Sequence, residues 1–555
     1  MAHPADLGVV DAAEALGAGR VSSEELVAAC LERIARRDPS FGAFIRVEGE
    51  RALERARRSD VRRRAGGVVG PLEGIPIALK DVVGVAGLPL TADSAVLEGN
   101  TAARDATVWA RLSQAGMVLV GHLHCGELAY GHWGVNPWRR DLSPGGSSSG
   151  SAIALAARLV PATIGTDTRG SIRMPAAFTG VSAVKPTFGL VSTAGCIPLS
   201  FSYDVVGPMA RSAADCALLL EAMAGPDELD RLTLSQPSDR SRLGPSSRSA
   251  GSGGGAAATA PLGGLRPLSG VRLGVPDLTE RLSPGVASVF ERFAEDLRRL
   301  GAECVAFAWP ENPLEVVEGD GVPGWLRILG TEASVIHEQF AARRHLHRDE
   351  FRSLFLPMMR SSSGADYLQA QMARQVLADC WSARFAELEI DAVLHPASTS
   401  EPYRADEDVT AEVMKRLLFG VWNDTGFPVV SLPAGLSPLD GSPVGVQLAG
   451  LPFSERSLLQ IAAELQAATG YHLASPAGLD DARPFVAPSR PEAGAQPPYV
   501  GPPSPFDTLH PLARGAVDTA GDLRRGGRPA ARAGAGTDGG PWRASCGVDT
   551  TVPVT

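Results

Sequence analysis

The chain has 555 residues, 44% of them hydrophobic and 21% charged, an ordinary soluble composition with enough length for a large core. Its net charge of −10 argues against a dedicated nucleic-acid binder, and no apolar run approaches the roughly 18 residues of a membrane span. Seven cysteines, an odd number without a CxxC pair, suit the reduced thiols of a cytoplasmic protein better than a disulfide framework or a zinc site.

Residues 7–60 read as helices. Met1 to Gly19 carries acids and no basic stretch, so it does not read as a secretory signal. Ser22-Ser23-Glu24-Glu25 is an N-cap pattern, followed by Leu26, Val27, Cys30, Leu31 and Ile34 at helical spacing. The arginine-rich run from Arg51 to Arg64 reads as a solvated helix face. Ile75 to Leu79 is a short apolar run that predicts a buried strand ending at Lys80. A helix is expected over Val108 to Ala115 and a strand over Met117 to Val120. Two serine-bearing glycine loops follow, Gly145 to Ser151 and Gly165 to Arg173, joined by an apolar run of helical character. Asp215 to Ala224 predicts a helix, and residues 234–270, rich in Ser, Gly, Pro and Ala, predict a linker. Beyond it come strands over Val271 to Val275, Asp391 to Leu394 and Val429 to Leu432, with helices over Val286 to Leu300 and Ser454 to Ala468. The expected divisions are 1–65, a helical N-terminal segment; 66–233, the catalytic core; 234–270, the linker; 271–487, the rest of the same α/β domain; and 488–555, a disordered tail.

Lysine is rare in this chain. Lys80, Lys185 and Lys415 are the only three, and arginine supplies the rest of the 52 basic residues. Arginine stays protonated in proteins, whereas a buried lysine can lose its proton and act as a base. Lys80 is placed for that role, or else it snorkels from a strand end to water. The glycine loops supply the complementary parts. Backbone N–H groups in such loops converge on developing negative charge, and a serine hydroxyl is a nucleophile once a base takes its proton.

Competing motifs are weaker. Gly146 to Gly150 matches the GxSxG elbow, but Asn136 to Pro144 before it is no strand. Ser182 to Lys185 matches SxxK, yet Pro186 follows and the companion motifs are missing, so Lys185 reads as structural. His122, His124 and His132, with Cys125 and Glu127, match no standard metal spacing, and no metal is expected there.

Taken together, Gly74 to Asp81, Pro144 to Ser151, Gly165 to Arg173, Pro175 to Phe178, Lys185 to Gly189, Asp204 to Arg211, Gly426 to Pro428 and Pro443 to Leu448 resemble the amidase signature family of serine hydrolases. The resemblance spans roughly residues 7–475 apart from the linker. It implies one large α/β domain, a mixed twisted sheet covered by helices on both faces. It also implies Ser171 as nucleophile, Ser147 as a bridging serine reached through a cis peptide from Gly146, and Lys80 as terminal base. The N–H groups of Thr168, Arg169, Gly170 and Ser171 would form the oxyanion hole. Ser148 is a candidate support of the loop, and Asp167 and Arg173, which flank the nucleophile, either pair to hold that loop or are two independently solvated charges. No cofactor is implied.

Family members usually carry glycine where this chain has Arg169. If that position needs a positive φ, arginine costs about 1–2 kcal/mol; its side chain would narrow the acyl pocket, favour a carboxylate-bearing substrate, or point to solvent. The segment Tyr130 to Pro144 is also shorter than in many relatives. The leading expectation is an amidase acting on a small-molecule amide, without nucleic acid or membrane, with a homodimer as the candidate assembly. The alternatives are a glutaminase subunit of a tRNA-dependent amidotransferase and a catalytically impaired binding protein.

Overall fold

The computed structural model describes residues 3–66, 69–236, 266–316, 321–359, 362–407 and 411–488. Most of the expected linker, the tail beyond 488 and Cys546 lie outside the described residues. Among those described, eleven strands form one sheet. They are β1 (Phe44–Val47), β2 (Pro76–Lys80), β3 (Val118–Leu123), β4 (Ala162–Asp167), β5 (Ser182–Lys185), β6 (Val205–Ala210), β7 (Arg272–Pro276), β8 (Glu303–Phe307), β9 (Ala392–Pro396), β10 (Val429–Leu436) and β11 (Pro443–Ala449). Their order is β1-β3-β2-β4-β6-β5-β10-β11-β9-β7-β8. β2 runs parallel to both β3 and β4, β7 runs parallel to β8 and β9, and the remaining pairs are antiparallel, so the sheet is mixed.

Strand alternation sends side chains to two cores. Ile77 and Leu79 of β2 join one cluster with Val108, Leu112 and Leu219 from helices, while Ala78 joins another with Val27, Ile34, Ala52 and Ile153. The central strands are therefore near-continuous apolar runs, as expected where helices cover both faces. No helix among the described residues is long and apolar enough to cross a membrane.

The helix Ser23–Arg37 opens with a full capping box, in which Ser22 Oγ accepts from Glu25 N–H and the Glu25 carboxylate accepts from Ser22 N–H. Predicted elements at 108–115, 215–224, 286–300 and 454–468 are observed as helices Thr107–Gln114, Ala213–Met223, Pro284–Arg299 and Glu455–Thr469. Two readings change. The stretch 7–60 is not wholly helical, because β1 interrupts it and pairs antiparallel with β3. The apolar run between the two glycine loops is helical only over Ser149–Ala156; its second half is β4. That helix lies against backbone, since a Cβ on Gly150 would stand 2.4 Å from the His124 carbonyl oxygen and 2.6 Å from that of Ala43.

Candidate active site

β2 and β4 are parallel neighbours, so Lys80 and Asp167, their last residues, end on the same edge of the sheet. That is where open parallel sheets usually build ligand sites. Lys80 is wholly buried, and its Nζ lies 2.8 Å from Ser147 Oγ and 2.8 Å from Thr166 Oγ1. Burial pushes its ammonium down to about 8, against the opposing pull of Cys125, Asp204 and Asp167. The Gly146–Ser147 peptide is cis.

Ser148 joins the two glycine loops. Its N–H donates to the Ser171 carbonyl (3.0 Å), and its Oγ donates to Thr166 O (3.1 Å) while accepting from Thr166 N–H (3.2 Å). The contact Lys80–Ser147 is therefore formed, and Ser171 is tethered through its backbone beside it. The Ser171 hydroxyl, half-buried, makes no hydrogen bond with any described residue, so the expected link from Ser147 to Ser171 is left open.

Asp167 and Arg173 pair as a two-point contact between wholly buried groups, Nε to Oδ2 at 3.0 Å and Nη2 to Oδ1 at 3.1 Å. Burial would raise the Asp167 carboxyl; Arg173 and a hydrogen bond from Asn423 outweigh it and hold the group well below the usual carboxylate range. Arg173 also reaches Phe419 O, Gln447 Oε1 and Asn423 Oδ1. Asp167 uses its charge on the nucleophile loop, accepting from Gly170 N–H (2.7 Å) and Ile172 N–H (3.1 Å). The Gly170 amide, one of the four expected in the oxyanion hole, thus donates to Asp167 in this structure. The amides of Thr168, Arg169 and Ser171 find no acceptor among the described residues. Thr168 Oγ1 instead donates to Asp204 Oδ1 at 2.5 Å, and burial raises the Asp204 carboxyl to about 6.

Arg169 departs from two of the expectations set for it. Its φ is not positive; the left-handed residue is Gly170 (φ +110°), packed on Phe419, so the backbone penalty does not arise. Nor does its side chain reach into solvent. Nη1 donates to Asp424 Oδ1 at 2.8 Å, Nη2 meets the Glu315 carboxylate, and the guanidinium lies 4.2 Å from the centre of the Trp325 ring.

The remaining candidates separate. His122 faces the Val83 carbonyl, His124 pairs with Asp93, and His132 is half-buried near Tyr403. No group of three or more metal-ligating side chains occurs among the described residues. Ser182 and Lys185 stand at opposite ends of β5 with separate partners, Arg211 O and Pro186 O. Thr166, Asn423, Gln447, Asp424, Glu315 and Trp325 were not singled out from sequence. Thr166 and Gln447 carried a local signal, the first as the hydroxyl just ahead of Asp167 in a signature loop and the second within the segment Pro443 to Leu448.

The chain is 36% identical over 510 residues to the A-subunit of the glutamyl-tRNA(Gln) amidotransferase of Azotobacter vinelandii, covering 85% of this chain and 99% of the relative. The native peptide amidase of Stenotrophomonas maltophilia superimposes with a TM-score of 0.69 at 30% identity, covering 84% of this chain and 97% of the other. The A-subunit of the glutamyl-tRNA(Gln) amidotransferase of Thermotoga maritima gives a TM-score of 0.65 at 28% identity, over 84% and 95%. The amidase family model matches residues 25–459, and the chain belongs to that family of enzymes acting on amide C–N bonds.

Proposed function

We propose that the chain cleaves a carboxamide through an acyl-enzyme on Ser171, with Ser147 as bridge and Lys80 as base. The observation that carries this is the buried contact of Lys80 Nζ with Ser147 Oγ, one hydrogen-bonded residue away from the Ser171 backbone. Neutral Lys80 takes the Ser147 proton as Ser147 takes that of Ser171. Ser171 Oγ bonds to the amide carbon, and the unpaired amides of Thr168, Arg169 and Ser171 hold the oxyanion. The C–N bond then breaks as Ser147 returns a proton to the departing nitrogen. Water attacks the ester by the same relay and releases the carboxylate.

For the amide itself, the relatives from A. vinelandii and T. maritima favour the glutaminase subunit of a tRNA-dependent amidotransferase over the free-standing amidase that the residues alone put first. On this reading the substrate is glutamine and the enzyme works with partner subunits and tRNA. The peptide amidase neighbour supports the second reading, a small-amide hydrolase acting alone. The third, an inactive binding protein, loses its motive once Arg169 is unstrained.

Ammonia release separates them. The isolated chain is assayed with glutamine and with a panel of aliphatic, aryl and peptide amides. It is then assayed with glutamine after adding the other amidotransferase subunits, ATP and glutamyl-tRNA. Glutamine turnover that needs the added components supports the first reading. Fast turnover of another amide by the chain alone supports the second. Unchanged turnover in Ser171→Ala removes the mechanism.

A further inference from the structure

The nucleophile loop is held on its two flanks by different arginines. On one flank Arg173, through Asp167, fixes the amides of Gly170 and Ile172. On the other flank Arg169 reaches outward. Its guanidinium joins Asp424 and Glu315 and stacks on Trp325. Asp424 is itself immobilised, taking Tyr203 OH at 2.9 Å on Oδ1 and Asn312 Nδ2 at 2.9 Å on Oδ2. Burial would lower the Arg169 pKa, but Asp424 and Glu315 overcome it, so the clamp stays charged. A Cβ on Gly420 would meet Arg169 Nη2 at 2.3 Å, so the helix Gly420–Asp424 closes tightly over it.

We propose that Arg169 is a positioning residue for the oxyanion hole, its side chain clamped by Asp424, Glu315 and Trp325 so that the backbone N–H groups at 168, 169 and 171 point at the developing oxyanion. This rests on the acyl-enzyme reading above. Arg169 does not touch the reacting atoms. Its guanidinium is spent on two carboxylates, so it is not a receptor for a substrate carboxylate. Preorganised amides are worth most when their orientation is fixed before the reaction begins. Among the described residues, a glycine at 169 would leave Thr168–Asp204 as the side-chain hydrogen bond on this flank of the loop.

The test needs no knowledge of the substrate. A fluorophosphonate–rhodamine probe phosphonylates the active serine through a transition state whose oxyanion occupies the same hole. Its second-order labelling rate is measured for wild type, Arg169→Gly and Glu315→Gln, with Ser171→Ala as blank. Arg169→Gly is expected to label at least on the order of tenfold more slowly, below the 10²–10³ typical of deleting a hole donor outright. Added ethylguanidinium should restore much of that rate. Glu315→Gln, which alters one half-exposed contact and leaves the core intact, should slow labelling by about two- to fivefold. Labelling of Arg169→Gly within twofold of wild type overturns the proposal, and so does a slowed variant that ethylguanidinium leaves unchanged while its melting temperature has fallen. Failure to label wild type at Ser171 is a different result: it overturns the acyl-enzyme reading, and this inference with it.

Discussion

Lys80 and Lys185 make a controlled pair. Each is the last residue of a sheet strand, each is wholly buried, and burial pushes the ammonium of each far down, Lys80 to about 8 and Lys185 to about 7. They differ in what the nitrogen meets. Lys80 has two hydroxyls, Ser147 and Thr166, whereas Lys185 has one backbone carbonyl, that of Pro186, at 3.0 Å. Desolvation makes an amine titratable near neutrality, and a hydroxyl neighbour able to pass on a proton makes it useful. Burial brings both amines close to neutrality and does not choose between them; their connections do.

The largest expected effect follows directly. Lys80→Met should lower kcat by about four orders of magnitude, close to Ser171→Ala, because members of a relay act as one unit. Lys185→Met should leave kcat within roughly a factor of five. Equal losses in the two variants, measured on whichever amide turns over, would mean that burial rather than connectivity marks the base.

The same contrast appears in the pH–rate profile. Lys80 must be neutral to accept a proton, so kcat/KM should rise with pH and reach half its plateau near 8. Lys185→Met should keep that limb in place apart from a small electrostatic offset. A limb that vanished in Lys185→Met would reassign the titration.

Much of this site was legible because its parts are local in sequence. Lys80 stood out through the scarcity of lysine and its place at the end of an apolar run, and Asp167 and Arg173 flank the nucleophile closely enough to suggest a pair. The partners of Arg169 were not legible. Glu315 and Asp424 lie 146 and 255 residues away; Asp424 arrives on the helix Gly420–Asp424, and Glu315 on the segment whose Asn312 bonds Asp424. Sheet order was hidden for a similar reason. β1 is four residues long between helices, and its pairing with β3 is a tertiary choice that no periodicity of 2 or 3.6 encodes.

Stability sharpens the comparison at lower amplitude. A lysine whose folded pKa lies below its unfolded value binds fewer protons when folded, so folding gains stability as pH rises between the two values. For Lys185 that window runs from about 7 to the ordinary 10.5. Below it the charged amine is carried at full desolvation cost. Lys185→Met should therefore gain most in melting temperature at pH 6 and lose that advantage progressively toward pH 10. A gain independent of pH would indicate a packing effect.

The smallest effect concerns the electrostatic setting of Lys80. Asp204, ionised above about 6, is among the groups that pull the Lys80 pKa upward. Asp204→Asn removes that charge and can keep the local geometry. The amide oxygen can accept from the N–H groups of Leu199 and Ser200, which now donate to Oδ2, while the Thr168 hydroxyl turns from donor to acceptor toward the new NH₂. Lys80 then loses its proton more readily, and the rising limb should move to lower pH by about half a unit. Lys185→Met, by contrast, removes no carboxylate facing Lys80 and should not reproduce the shift. A limb left in place above a lowered plateau would show that Asp204 acts through the Thr168 hydroxyl on the oxyanion-hole loop rather than on the base.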